Sequence, residues 1–438
     1  MLIKRLKRKG GPRSRALKHR LAVIRVSLSA ALRRRKLPPG SLEPLSDADL
    51  VNPTYLLEQA KRHGPIFKVW LDGKMTTYIV GLPRGRRFLA EHEENIISAT
   101  TDFRPLFPLG TLRQMTGAPH QNYRRILIEA FKKTKIENHR ERIGGVLDGL
   151  IQSLVNSDGI SVDHMRSLLK QSLTEIFLLL HFGLARDQDG FSDLVSLFER
   201  YAPNGTFVTV RSEHHEIYQS ITALIRAHIA RLRNTSGIPS LLKSIDAEQC
   251  DDTAIGNLVQ MTEAGRFDVM GLWVWLVKLL GDNNHYLDML ADAPDRIARS
   301  ALSKAIVLEA LRLEQSEFIF RTAKSSLVLD GYFIPKRTRI RVAVWESHKD
   351  PASFKDPFRF EPERFLTKAP SSEVYAPFGL DRHHCVGADW VVTLSSQFVE
   401  NLAEKLRWKW SGGSSVERGI FHFQPDSSAI VEFSRADG

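Results

Sequence analysis

Cys385 stands in the segment Ala376-Pro-Phe-Gly-Leu-Asp-Arg-His-His-Cys-Val-Gly-Ala388 and is one of two cysteines in 438 residues. A thiolate is a nucleophile and a metal ligand, and the residues around this one suit the second task. Phe378 can wall off the sulfur, Gly379 and Gly387 permit close backbone approach and unusual dihedrals, and N–H groups after the turn can point at it. The segment reads as a loop that holds one thiolate against haem iron, where electron donation from sulfur favours O–O cleavage. The competing reading is a buried free cysteine in a Gly-containing loop.

Other residues weigh on that choice. Glu309 and Arg312 are three apart, so on a helix they share a face and can pair. With them in place, Phe378-Gly379-x-x-x-His383-x-Cys385-x-Gly387 resembles the haem-binding signature of the cytochrome P-450 superfamily, the haem-thiolate monooxygenases, in its soluble, bacterial form. Glu309-Ala-Leu-Arg312 resembles the family's Glu-x-x-Arg motif, and Pro362-Glu-Arg-Phe365 the segment whose arginine, here Arg364, adds a second guanidinium to the carboxylate. Asp381 departs from the pattern, standing where the family has Gly.

The resemblance covers roughly residues 45 to 435. It implies a mainly α protein with a small β part, folded as a triangular, two-lobed catalytic unit that acts as a monomer. The implied cofactor is haem b, with O2 as co-substrate and NAD(P)H acting through a ferredoxin- or flavodoxin-like donor and its reductase. By the same resemblance Cys385 is the iron ligand, Phe378 and Gly387 line the haem, and His120, Arg124, Arg321 and His383 hold its propionates. His120 and Arg124 are four apart, one helical turn on a common face.

The distal side is where the chain departs furthest. In Leu258-Val-Gln-Met-Thr-Glu-Ala-Gly-Arg-Phe-Asp268, Ala264 and Gly265 match the family's oxygen-groove residues. Phe267 stands where an acid is expected and Asp268 where a threonine is expected. Three accounts are open: Asp268 relays protons with a raised pKa, a substrate group supplies them, or the enzyme uses peroxide or rearranges an oxygenated substrate. A haem-binding sensor without catalysis is a further alternative. Phe267, Leu106 and Phe107 are expected to line a hydrophobic substrate pocket, with 203–207 in a second variable region.

The elements that must position these residues are mostly helical. Three-and-four spacing predicts helices over 138–156, 163–185, 190–201, 213–233 and 251–282. Hairpins are expected at 65–71 with 76–80, and at 326–335 with 338–344. No phosphate-cradling Gly-rich loop appears, so electrons must arrive from a separate donor. Its docking patch is expected on Arg382, His384, Arg124-Arg125 and Lys132–Lys135.

The formal charge of +12 is a property of the first 36 residues, which hold fourteen Lys/Arg and no acid. Residues 1–40 are expected to form a flexible basic arm ahead of a catalytic domain at 41–438. Three uses suit it: a solvated tail, an amphipathic anchor on anionic lipid, or a targeting sequence. A mis-assigned upstream start codon would also account for it. Nucleic-acid binding is disfavoured because the arm has no aromatic residue. Charges interrupt every apolar run in the arm, so none is expected to span a bilayer; with no disulfide framework, a cytoplasmic setting is expected.

Overall fold

The computed structural model describes residues 12–157, 159–202, 209–232, 237–314, 318–367, 370–413, 416–419 and 423–436. Helices dominate. Arg140–Val155, Val162–Phe177, Phe191–Tyr201, Ser212–Leu232 and Asp252–Asp282 fall where the apolar spacing places them. Asp252–Asp282 crosses the centre of the molecule, and its start is set by Asp251, whose side chain accepts from the Ala254 N–H at 2.8 Å. Buried residues occur all round it, as expected of a helix with protein on every side.

A five-stranded sheet runs in the order Ile66–Leu71, Lys74–Val80, Arg339–Ala343, Phe318–Ala323, Ile96–Ser98. Its first hairpin turns at Asp72-Gly73, both at positive φ, as a two-residue loop of this hand requires. The second expected hairpin forms differently. Leu327–Leu329 pairs with Tyr332–Ile334 around Asp330-Gly331, again both at positive φ. Arg339–Ala343 leaves that pair and joins the large sheet, parallel to Lys74–Val80 and antiparallel to Phe318–Ala323. Asp-Gly closes a tight turn locally, so the strand beyond it is free to find a distant partner.

Of the expected flexible arm at 1–40, residues 12–40 are described. Pro12–Ala31 is a helix, and the segment after it is strapped to the sheet. The Lys68 N–H donates to the Pro39 carbonyl at 2.8 Å, and Lys68 Nζ donates to the Pro38 and Gly40 carbonyls, each at 2.6 Å. A side chain at Gly40 would strike the Lys68 carbonyl oxygen at 2.2 Å, so Pro-Pro-Gly closes a fixed strap, not a hinge. His19 Nε2 lies 2.8 Å from the Leu42 carbonyl, and its ring packs edge-on against Trp70 at 4.9 Å.

Candidate functional site

The thiol loop is closed by its own backbone. Cys385 N–H donates to the Phe378 carbonyl at 2.9 Å, and the Gly387 N–H is directed at the sulfur. Gly379 takes φ +90, which only glycine adopts without strain. Gly387 has an ordinary φ of −96 and caps the start of Ala388–Lys405, so its value here is its N–H and its close packing on Phe131. Asp381 has φ +53, which explains why glycine suits that position; Asp is among the residues that tolerate this region. Its carboxylate is held by Arg86, which also donates to the Ser372 carbonyl at 2.8 Å.

Behind the loop lies the buried ion-pair network. Arg312 donates through Nε and Nη2 to the two Glu309 oxygens at 2.7 and 2.8 Å, and both side chains are fully buried. Its remaining donors reach the Pro357, His348 and Arg359 carbonyls at 2.7, 3.1 and 3.2 Å. Arg364 Nε sits 3.4 Å from Glu309, and the Glu361 N–H donates to the same carboxylate at 3.0 Å. His348, also buried, accepts the Ala376 N–H at 3.0 Å and ties the network to the start of the thiol loop.

Across from the sulfur, the long helix is buried from Thr253 to Leu280 save for a few positions, of which only Ala264 and Asp268 are exposed. They are four apart, so they share a face. Cys385 is accessible as well. Yet burial raises the Cys385 thiol and lifts the Asp268 carboxyl to about 6, the latter against the opposing pull of Arg113. Accessible but desolvated, these groups open onto an internal cavity and not onto bulk water. The fields of Asp268 and Arg113 both reach the sulfur.

One rim of that cavity is cationic. The His120 and His383 rings are 4.8 Å apart, Arg124 donates to the His384 carbonyl at 2.7 Å, and Arg321 donates to the Phe320 carbonyl at 2.9 Å. Burial, then the fields of Arg321, His120, Arg382 and Arg124, pushes His383 down to about 3. Burial with Arg113 nearby lowers Arg321 to about 10. The four residues expected to hold propionates are thus brought together. A cavity with one thiol, an opposed helix face and a rim of cationic donors fits a flat iron-bearing group with carboxylate arms.

Two expectations for the distal side change. Phe267 does not share the Ala264/Asp268 face; its ring lies under Arg266 at 5.1 Å and Lys170 at 5.7 Å. The buried Arg266 holds that side of the helix, with Nη1 2.8 Å from Glu199 and Nε 3.0 Å from Glu263. Gly265 admits the Phe177 ring, which a Cβ would meet at 2.9 Å. Phe107 is core: it fills the notch at Gly256, where a Cβ would meet it at 2.4 Å, and it stacks on Tyr218 at 5.8 Å. Leu106 is half-buried against the same core. The 203–207 segment lies outside the described residues.

Sequence reasoning missed Arg113, which belongs to a loop clamped to the long helix. Leu112 N–H donates to Asn257 Oδ1 at 3.0 Å, and Thr253 Oγ1 donates to the Pro108 carbonyl at 2.9 Å. No local pattern separates Arg113 from other surface arginines; only the clamp brings it within the field of Asp268, Cys385 and Arg321.

This fold and site fit a protein that holds haem beside a thiol. The cytochrome P450 family model matches residues 294–417. The chain is 24% identical to abscisic acid 8'-hydroxylase 1 of Oryza sativa subsp. japonica, over 91% of each. It is 21% identical to cytochrome P450 26A1 of Gallus gallus, over 86% of each. The structure of retinoic acid-bound cyanobacterial CYP120A1 superposes with a TM-score of 0.73 at 19% identity, covering 92% of this chain and 99% of that one. The chain is thus similar to cytochrome P450 proteins over most of its length and shares their fold, and this similarity supports a haem cofactor, use of O2 and monooxygenase-type oxidoreductase chemistry.

Proposed function

We propose that this protein is a monooxygenase that hydroxylates or epoxidises a hydrophobic carboxylic acid, with Arg113 pairing with the substrate carboxylate. The observation that carries the reading is a guanidinium placed within the field of both Asp268 and Cys385, two groups that are accessible yet desolvated. Relatives named for abscisic acid and a structural neighbour with bound retinoic acid support the substrate class.

Cys385 is the proposed iron ligand, kept dry by Phe378 and oriented by the Gly387 N–H. His120, Arg124, Arg321 and His383 are the proposed propionate partners, as cation or hydrogen-bond donor. Bound there, haem supplies the iron at which O2 is activated. One oxygen atom ends in the substrate and the other in water, so protons must enter a site that excludes bulk solvent. Asp268 is the proposed relay: its carboxyl, at about 6, gains and loses a proton near neutral pH, and Ala264 leaves room beside it.

Electrons come from a ferredoxin- or flavodoxin-like donor reduced by NAD(P)H. The proposed docking face is the Gly117–Thr134 helix, where Phe131 touches Gly387 and Lys132 and Lys133 are exposed beside it. Part of the expected patch is already neutralised, since Arg382 pairs with Glu93, Arg125 with Glu129 at 3.2 Å and Lys133 with Asp246 at 3.4 Å. Changing Lys132 and Lys133 to Glu is expected to slow reduction several-fold at low salt and leave substrate binding alone; unchanged reduction would remove this face from consideration.

The test of substrate class is a binding titration with retinoic acid and its methyl ester, read from the haem absorption spectrum. Arg113→Ala is expected to weaken acid binding about 10- to 100-fold and to leave the ester unchanged. Equal effects on both ligands would refute the carboxylate pairing.

A further inference from the structure

The helix Pro12–Ala31 has two apolar faces. His19, Val23, Val26 and Ala30 face the body and are half-buried or buried. On the opposite side Leu17, Leu21, Ile24 and Leu28 are 59%, 57%, 53% and 56% exposed, and Leu32 just beyond the helix is 82% exposed. At about 100° per residue, Leu17, Leu21, Ile24 and Leu28 fall within a sector of about 60°. Lys18 and Arg25, seven apart, run along one flank, Arg20 lies on the other, and Arg33–Lys36 follow the end of the helix. A soluble monomer rarely shows a continuous aliphatic stripe of this kind.

From this stripe and its cationic borders we infer that the Pro12–Ala31 helix docks the enzyme on an anionic lipid surface, lying in the membrane plane with Leu17, Leu21, Ile24 and Leu28 in the acyl boundary. Charge selects the occupant. Residues 1–36 carry fourteen Lys/Arg and no acid, so a second copy laid along the stripe would oppose like charges, whereas anionic headgroups neutralise both flanks. The stripe is convex and purely aliphatic, which suits a plane of acyl chains. No described helix is long and apolar enough to cross a membrane, so the attachment is peripheral. The inner face of the same helix is fixed to the sheet through His19 and the Pro-Pro-Gly strap, so docking holds the catalytic body at a set orientation to the surface.

The experiment is co-sedimentation of the full-length holoprotein with phosphatidylcholine vesicles, with and without about a third phosphatidylglycerol. Binding to the anionic vesicles is expected to be at least about tenfold tighter and to weaken in about 1 M salt. Leu21→Glu with Ile24→Glu should abolish it while the carbon monoxide spectrum and melting temperature stay unchanged, because both side chains already face outward. Absence of vesicle binding, binding that survives the double substitution, or a lipid-free dimer that the substitution dissolves would each overturn the inference.

Discussion

The thiol side of the cavity and the distal side handle charge in opposite ways. Behind Cys385, Glu309 and Arg312 are fully buried, but each charge is answered: two short hydrogen bonds between them, Arg364 beside the carboxylate and three backbone carbonyls around the guanidinium. On the long helix, Asp268 sits desolvated at the cavity wall with its carboxyl lifted to about 6. A carboxylate can therefore be built into a buried ion-pair network, as at Glu309, or be desolvated at a cavity wall with its pKa lifted, as at Asp268. The thiol side serves stability, and the distal side is where proton chemistry is proposed.

The comparison can be broken most directly at the sulfur. Cys385→Ser is expected to remove the strongly red-shifted Soret band of the reduced, carbon monoxide-bound protein and to reduce turnover to background. Survival of that band would end the claim of thiolate ligation.

Next in size is Glu309→Ala, which strands a buried guanidinium and should cost about 3–5 kcal/mol in denaturant unfolding, with haem content falling in step. A loss below about 1 kcal/mol would mean that the network contributes little to stability.

The distal side should respond in activity more than in stability. Asp268→Asn is expected to lower reductant-driven turnover about 100-fold or more and to spare peroxide-driven turnover. The wild-type rate should fall as pH rises through about 6, where the carboxyl loses its proton, and the Asn variant should lack that limb. The stability effect has its own sign: the folded pKa lies above the ordinary 3.8, so the unfolded chain ionises first. Stability contributed by the protonated carboxyl is present at low pH and is lost between about 4 and 6, a slope that Asn removes. If both oxidants slow equally, Asp268 shapes the cavity and does not relay protons.

Much of the thiol side is legible from spacing. Glu309 and Arg312 meet because three residues on a helix place them on one face, and Cys385 is marked by the glycines around it. Asp381 looks anomalous in the sequence and becomes intelligible only with its positive φ and its partner Arg86, which lies almost 300 positions upstream. The distal side is harder because a helix register names the residues on a face but not what faces them. Phe267 is claimed by Arg266 and Lys170, and Phe107 by the notch at Gly256. The arm shows the same limit: its basic composition is plain, but its helix packs through His19 on Trp70 and Leu42, and the strap after it is held by Lys68.

By itself the sequence determined the helical class and the pairing of Glu309 with Arg312, because local periodicity and short-range spacing encode both; the thiol loop and the expected propionate residues His120, Arg124, Arg321 and His383 were legible only through the resemblance to a family. Tertiary structure alone decided that Arg113 lies within the field of Asp268 and Cys385, that Phe267 and Phe107 are claimed by other contacts, and that Pro12–Ala31 is a helix with an apolar outer face. Those outcomes depend on desolvation and on which distant surfaces meet, and both arise only when the chain closes on itself.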